Sequence, residues 1–369
     1  MYLARPDTDS IIQAIGPLKI PSESLLLILL AEKSRAEIPG LIRGLKKNRL
    51  NFCGGVFPGV IHGNKHYDKG AVIVVLPALE KPFLIKGLDT PEFLLPDFGR
   101  KIKGTHHKKY SAIIMVDAWT SFISLFLSEI FNQLGNSFHY FGGGAGSLSS
   151  RGKPCIFTPE GEFRNAALVI FTALESTLGV RHGWKRRTGP IVATNTRNHI
   201  ISELNWETAL EVYRDSVESH SGKKLTAKNF QRLSMKYPFG IYKEGGEDVV
   251  RDPIGVNEKG ELICVGEVPE NAALYILNGE KDSLLKAAGQ AARDSVKQKR
   301  KEIKYCLVAD CVSRKLFLGD EFKKELETVR NIISPCIPYG ILSIGEIASH
   351  GEAYLELFNK TIVIGVFND

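Results

Sequence analysis

Three arginines, Arg35, Arg251 and Arg314, stand beside short polar turns in an otherwise apolar setting. A guanidinium is a planar fork of N–H donors and suits a carboxylate. Glu346 lies in Gly345-Glu346-Ile347, inside an apolar stretch. A buried acid there must be paired or hydrogen-bonded. It is a candidate to hold an α-ammonium group or to position Arg314; a structural salt bridge across the lobe is the other reading. Asn359, just before the last strand, offers amide groups to a ligand or closes a hairpin. Asp117 with Thr120, and Ser313 beside Arg314, are further lining candidates. Together these types suit a small polar molecule, with a carboxylate on Arg251 or Arg314 and an amino group on Glu346 and Asn359.

The run Gly142-Gly143-Gly144-Ala145-Gly146-Ser147 invites comparison with a phosphate cradle. Such loops work because free N–H groups at a helix start face the anion. Here a strand follows Pro154, and Pro154 stands where a P-loop has Ser or Thr. Nucleotide binding is therefore not expected. Close backbone approach to a small ligand, at Gly144 and Ser147, remains open.

Other chemistries fit less well. No G-x-S-x-G elbow, HExxH motif or dinucleotide fingerprint is present. Cys53 beside Gly54-Gly55 is a candidate nucleophile if turn N–H groups lower its pKa, but nothing in the sequence supplies its base. The chain is not expected to be an enzyme. Haem needs an axial His or Cys, for which His139 and His182 are the candidates; both read more simply as structural histidines. His106-His107-Lys108-Lys109 lacks a spaced third metal ligand. The basic runs Lys297–Lys301 and Lys185-Arg186-Arg187 read as solvated faces or as surfaces for an acidic partner protein, not for nucleic acid.

These residues need elements to position them, and the elements repeat. Leu25–Leu30, Ala112–Val116 and Tyr305–Ala309 are apolar strands, each followed by a polar turn, a helix, a Gly-rich turn and another apolar strand. Gly54 to Gly59 to Ile61 has the spacing of Gly340 to Gly345 to Ile347. The last helix spans about 321–333: Phe322, Leu326, Val329 and Ile333 keep helical spacing, Asp320 is a candidate cap and Pro335 a stop. Between the second and third copies lies different material, read as a polar hairpin over 181–198, two short helices and a hairpin turning at Asn257–Gly260.

The 369 residues, 43% hydrophobic and 24% charged, suit a globular chain of two or three lobes. A net charge of +7 is too mild for a dedicated nucleic-acid binder. Six cysteines form no CxxC pair, as expected of reduced thiols in the cytoplasm. Leu25–Ala31 is too short to cross a membrane, and no membrane association is expected.

Several of these pieces occur in a particular order. Tyr237-Pro238, Val250-Arg251, the Asn257–Gly260 turn with Val265-Gly266, Cys311, Arg314, Gly345-Glu346-Ile347, and Asn359 with Thr361 resemble the FIST family of sensory proteins. The resemblance implies a FIST N-like lobe over 1–180 and a FIST C-like lobe over 181–369. It also implies binding of a small ligand of the amino-acid class, or in some members haem sensing nitric oxide. The chain has Val60 where the family's first Gly motif commonly has Glu, and Ser147 where its middle motif usually has an acid. No kinase or cyclase segment follows the last strand, so the output is expected to pass to a separate signalling protein such as a kinase. The expected fold is α/β, two packed lobes built from repeated strand–helix–Gly-turn–strand units with mixed sheets, carrying no cofactor.

Overall fold

Strands that are apolar at every position can only be central strands covered on both faces, and that is how each repeat begins. The computed structural model describes residues 1–18, 24–102, 110–244, 247–297, 303–350 and 354–368. His106–Lys109 and Gln298–Lys301 lie outside the described residues.

The first unit comprises β1 (Tyr2–Leu3), β2 (Ser24–Ala31), β3 (Phe52–Phe57), β4 (Gly59–His62), β5 (Lys65–Tyr67) and β6 (Ala71–Pro77). The second comprises β7 (Phe83–Lys86), β8 (Tyr110–Asp117), β9 (Phe138–Ala145), β10 (Ile156–Thr158), β11 (Gly161–Phe163) and β12 (Ala166–Thr172). The third opens with β13 (Glu175–Arg181). An insertion then carries β14 (Lys185–Val192), β15 (Asn195–Arg197), β16 (Ile200–Leu204), β17 (Glu207–Thr208), β18 (Phe239–Ile241), β19 (Val249–Val256), β20 (Leu262–Val265) and β21 (Ala273–Asn278). The unit resumes with β22 (Ile303–Cys311), β23 (Pro338–Ser343), β24 (Glu346–His350), β25 (Tyr354–Phe358) and β26 (Ile362–Asn368).

Each unit obeys one plan. Its first long strand pairs in parallel with the next: β2 with β3, β8 with β9, β22 with β23. A crossover helix joins each pair: Ile38–Lys47, Ile123–Leu134 or Phe322–Ile332. Its last strand returns antiparallel on the first: β6 on β2, β12 on β8, β26 on β22. The intervening hairpin leaves its own unit. β4–β5 extends β23 of the third unit, β24–β25 extends β9 of the second, and β10–β11 extends β3 of the first. Three six-stranded mixed sheets result, each completed by a hairpin from another unit.

The Gly-rich segments are these second strands, not turns. Gly54, Gly142 and Gly340 sit opposite Ile28, Ile114 and Val308 in equivalent register. A Cβ at each would lie 2.2, 1.8 and 2.0 Å from that partner's carbonyl oxygen. The middle copy is as regular as the others. Its hairpin simply follows a longer loop.

The insertion folds into an eight-stranded sheet, order β14-β21-β18-β19-β20-β16-β15 with β17 on β16. β14 pairs with β21 rather than forming the expected local hairpin, because β21's apolar residues offer it a buried neighbour. The helix Phe322–Ile332 has Glu321 before it and no side-chain cap; Asp320 lies in the preceding 3-10 turn. The helix Lys281–Val296 covers β13 and β26. Strand exchange runs across the expected division near residue 180, since β4–β5 belongs to the sheet of β22, β23 and β26. Among the described residues no helix is long and apolar enough to cross a membrane.

The close strand approach makes a direct prediction. Gly142→Ala must push β8 and β9 apart and should cost about 2–4 kcal/mol, read as a lowered thermal midpoint. Gly40→Ala, in the helix Ile38–Lys47 with open space around it, should leave stability unchanged or raise it by about 0.4–1 kcal/mol. Equal effects at the two sites would refute the packing argument.

Candidate functional site

The three units meet at three equivalent junctions, and register shows what fills each. Four residues past the strand ends Ala31, Asp117 and Cys311 stand Arg35, Ser121 and Lys315. On the incoming hairpins Glu162, Leu357 and His66 occupy matching positions. At the first junction Arg35 donates to Glu162 at 3.0 Å and to the Pro154 carbonyl. At the third, Lys315 donates to Asp68 at 3.2 Å, with Lys33 on the other oxygen at 3.2 Å, and burial together with the Lys315 charge lowers the pKa of His66. At the second, the corresponding pair is Ser121 and Leu357, which cannot form an ion bridge. A cavity of about 220 Å³ lies there, covered by the insertion through His199, Ile254 and Ile263–Glu267.

A neighbouring cavity of about 290 Å³ shares a wall with it made of Trp119, Arg151, Ile254, Val265 and Ile344. Its remaining lining includes Ser234, Asp252, Cys311, Ser313, Gly345 and Asn359. Residues of the second unit thus face residues of the third unit and the insertion.

Local chemistry fixes each wall. The Asp117 carboxylate accepts from the backbone N–H of Trp119 at 3.1 Å and of Asn165 at 2.8 Å, pinning the turn that carries Trp119. Arg151 is exposed, and its guanidinium lies over the Trp119 ring at 4.3 Å. Gly146, at φ +154°, leaves room for the indole: a Cβ would come within 2.9 Å of Trp119 Nε1. Gly345, at φ +92°, does the same for Asn359 Nδ2, 3.2 Å from its Cβ position. Asp252 Oδ2 accepts from Ser313 Oγ at 3.0 Å and from Lys360 Nζ at 3.0 Å. Lys360 is fully buried and also donates to the Met235 carbonyl at 3.0 Å. Trp119 Nε1, Thr120 Oγ1 and Asn359 Oδ1 are buried atoms in these walls with no hydrogen-bond partner among the described residues.

The residues singled out in the sequence divide into three groups. Asn359 and Ser313 line the larger cavity, and Thr120 the smaller. Arg251, Arg314 and Glu346 lie behind the walls. Arg314, 0% exposed, bonds Glu325 at 2.5 Å, the carbonyls of His182, Lys360 and Leu284 at 2.6, 3.3 and 3.1 Å, and lies 3.4 Å from Asp310. Arg251 donates to the Glu267, Val250 and Leu357 carbonyls and to Glu356. Each is an internal tie among elements, with protein acceptors around the whole guanidinium. Glu346 accepts from Ser343 Oγ at 2.6 Å and from the Thr361 N–H at 3.1 Å. Its burial pushes the carboxyl up to about 8. Burial and the neighbouring Glu325 likewise hold Asp310 well above the usual carboxylate range.

The third group lies elsewhere. Gly144 links the second and third units by backbone bonds, donating to the Gly345 carbonyl at 2.7 Å and accepting from Ile344 at 3.0 Å. Ser147 Oγ donates to Glu32 at 2.6 Å, and Arg35 plugs the first junction as described. Cys53 is buried within β3, not exposed on a turn, and burial pushes its thiol up, the reverse of the lowering that activates a thiol nucleophile.

Both histidines considered for haem have Nδ1 bonded to a backbone group. His139 Nδ1 is bonded to the Ser176 carbonyl, and His182 Nδ1 accepts from the Trp184 N–H at 2.8 Å. Burial pulls His182 down to about 3, and neither residue lines either cavity. Among the described residues no group of three or more His, Cys, Asp or Glu side chains could hold a metal ion. Sequence reasoning missed Trp119, Arg151 and Asp252 as cavity residues. Asp252 had a signal, the polar step beside Arg251 in an apolar strand; Arg151 had none.

Comparison with known families finds two matches. A FIST N domain family model matches residues 24–207, and a FIST C domain family model matches residues 209–349. No curated protein matches the chain. The chain belongs to the FIST family, whose domains are sensory domains of signal-transduction proteins.

Glu346 gives a pH prediction. In the fold it holds its proton up to about pH 8, whereas the unfolded side chain ionises near its ordinary 4.5. Its contribution is fully present below 4.5 and is lost as pH rises through about 8. Glu346→Gln keeps the shape without the titration. The stability of the wild type relative to this variant should therefore fall as pH rises across that window. Parallel pH profiles for the two proteins would contradict the assignment.

Proposed function

We propose, taking FIST-family membership as the premise, that the chain is a sensory protein that binds a small zwitterionic, amino-acid-like ligand between its FIST N and FIST C parts. One observation carries the reading: Arg151 from the FIST N part shares a cavity of about 290 Å³ with Asp252 and Asn359 from the C-terminal half. A carboxylate suits the exposed Arg151 guanidinium and the Trp119 indole N–H. An ammonium suits Asn359 Oδ1 and the Asp252 carboxylate. A buried polar atom without a partner costs about 1–3 kcal/mol, and a ligand that pairs with it recovers that cost.

The ligand touches both parts of the chain and so biases how closely they pack. It shifts that equilibrium by its differential affinity for the two arrangements. In this reading a separate signalling protein, such as a kinase, responds to the packed form. The protein works as a binder without a catalytic step or a cofactor, and Arg314, Arg251 and Glu346 act as the rigid backing of the site. A cytoplasmic setting accords with six cysteines described as free thiols. Nucleic acid and membrane are not among the proposed partners.

The test is a thermal-shift panel of free amino acids and related carboxylates on the wild type and on Arg151→Ala. A ligand at 100 times its Kd adds about 2.7 kcal/mol and should raise the midpoint by several degrees. Because Arg151 is exposed, the variant should keep its unliganded midpoint yet bind about tenfold or more weakly, the loss expected for a charged hydrogen bond. A panel without any shift, or equal affinity in the variant, would overturn the reading.

A further inference from the structure

The rim of the larger cavity is apolar on both sides. Leu148, from the loop after β9, is 40% exposed, and Leu316, from the helix Val312–Leu318, is 54% exposed. Both line the cavity. Large apolar side chains left in water at the mouth of a site invite an apolar group between them. Leu148 is held in place, since its backbone N–H donates to Glu32 at 3.0 Å and the adjacent Ser147 hydroxyl bonds the same oxygen at 2.6 Å. Leu316 sits one turn beyond Ser313, which is tied to Asp252. Deeper in, Ile254, Val265 and Ile344 continue the apolar surface between the polar ends.

We infer that the ligand is an α-amino acid with a large apolar side chain, leucine or methionine in type, and that Leu148 and Leu316 set this selectivity. The inference rests on the proposed amino-acid reading and narrows it. The polar ends fix the common backbone of the ligand, while the side chain fills the space between the two leucines. Leu148 lies in the FIST N match and Leu316 in the FIST C match, so the side chain bridges the same two parts that the polar groups bridge. A glycine ligand makes the polar contacts but leaves both leucines in water. An aspartate places a second carboxylate against apolar walls and must desolvate it.

Calorimetric titration of the full chain with L-leucine, L-methionine, glycine and L-aspartate tests this. Leucine and methionine should bind about tenfold or more tightly than glycine, from the area that a buried leucine side chain removes from water. In a Leu148→Ser/Leu316→Ser variant that preference should shrink to about threefold or less, with glycine affinity unchanged. Leu316→Ser alone, on an exposed helix face, serves if the double variant is unstable, and should lose part of the preference. Glycine or aspartate binding as tightly as leucine would overturn the selectivity while leaving the amino-acid reading standing. So would a preference that survives the substitutions. Failure of all four to bind would overturn both.

Discussion

Everything in this fold depends on how closely two parallel strands can lie at Gly54, Gly142 and Gly340. At each, the place of a side chain is taken by the partner strand's carbonyl, within about 2 Å of where Cβ would stand. The repetition of that contact in the same register is why three segments of divergent sequence form one unit three times. Once the strands are fixed, the hairpin beyond each glycine strand leaves its own unit and pairs with a neighbour's. Each unit then lacks a complete sheet without another, so the N- and C-terminal halves share their sheets.

The same repetition explains where an opening can arise. The strands that frame the three junctions share one register, and the side chains that follow them differ from junction to junction. Arg35 with Glu162 fills one, and Lys315 with Asp68 and Lys33 fills another. Ser121 and Leu357 fill neither by charge nor by length, and the insertion covers the space instead of occupying it. Behind that space lies a dense set of buried ionisable groups: Arg314 with Glu325 and Asp310, Lys360 with Asp252, and Glu346 beside the Ser343 hydroxyl and the Thr361 N–H. Buried ion pairs add little net stability compared with apolar packing, because desolvation offsets their attraction. Their effect here is positional. They hold the backbone of Ser313, Gly345 and Asn359 in a fixed wall.

Much of the scaffold was legible in the sequence. The helical spacing of Phe322, Leu326, Val329 and Ile333 located a helix that ends at Ile332, and Gly54 and Gly340 were correctly matched by spacing. The hairpin exchange was not legible, because pairing between distant strands leaves no local mark. The walls of the candidate cavities were legible in part. Asn359, Ser313 and Thr120 line the cavities, whereas Arg251 and Arg314, whose chemistry suits a carboxylate, meet backbone carbonyls supplied by distant elements. Residue type shows what a guanidinium can hold but not which acceptors the fold brings to it. Arg151 carried no signal because its loop has no periodicity, and only the fold sets its guanidinium over the ring of Trp119.

The most direct measurement follows the indole N–H signals of isotopically labelled protein during titration with a free amino acid that stabilises it. Three tryptophans give three such signals: Trp119 in the cavity wall, Trp184 donating to the Lys360 carbonyl, and Trp206 on the surface. Trp119→Phe assigns the first. The account requires the Trp119 signal to move saturably, with the same Kd as the thermal shift, while the Trp206 signal stays in place. A ligand that stabilises the protein and leaves the Trp119 signal unmoved would contradict the account and put the binding site elsewhere.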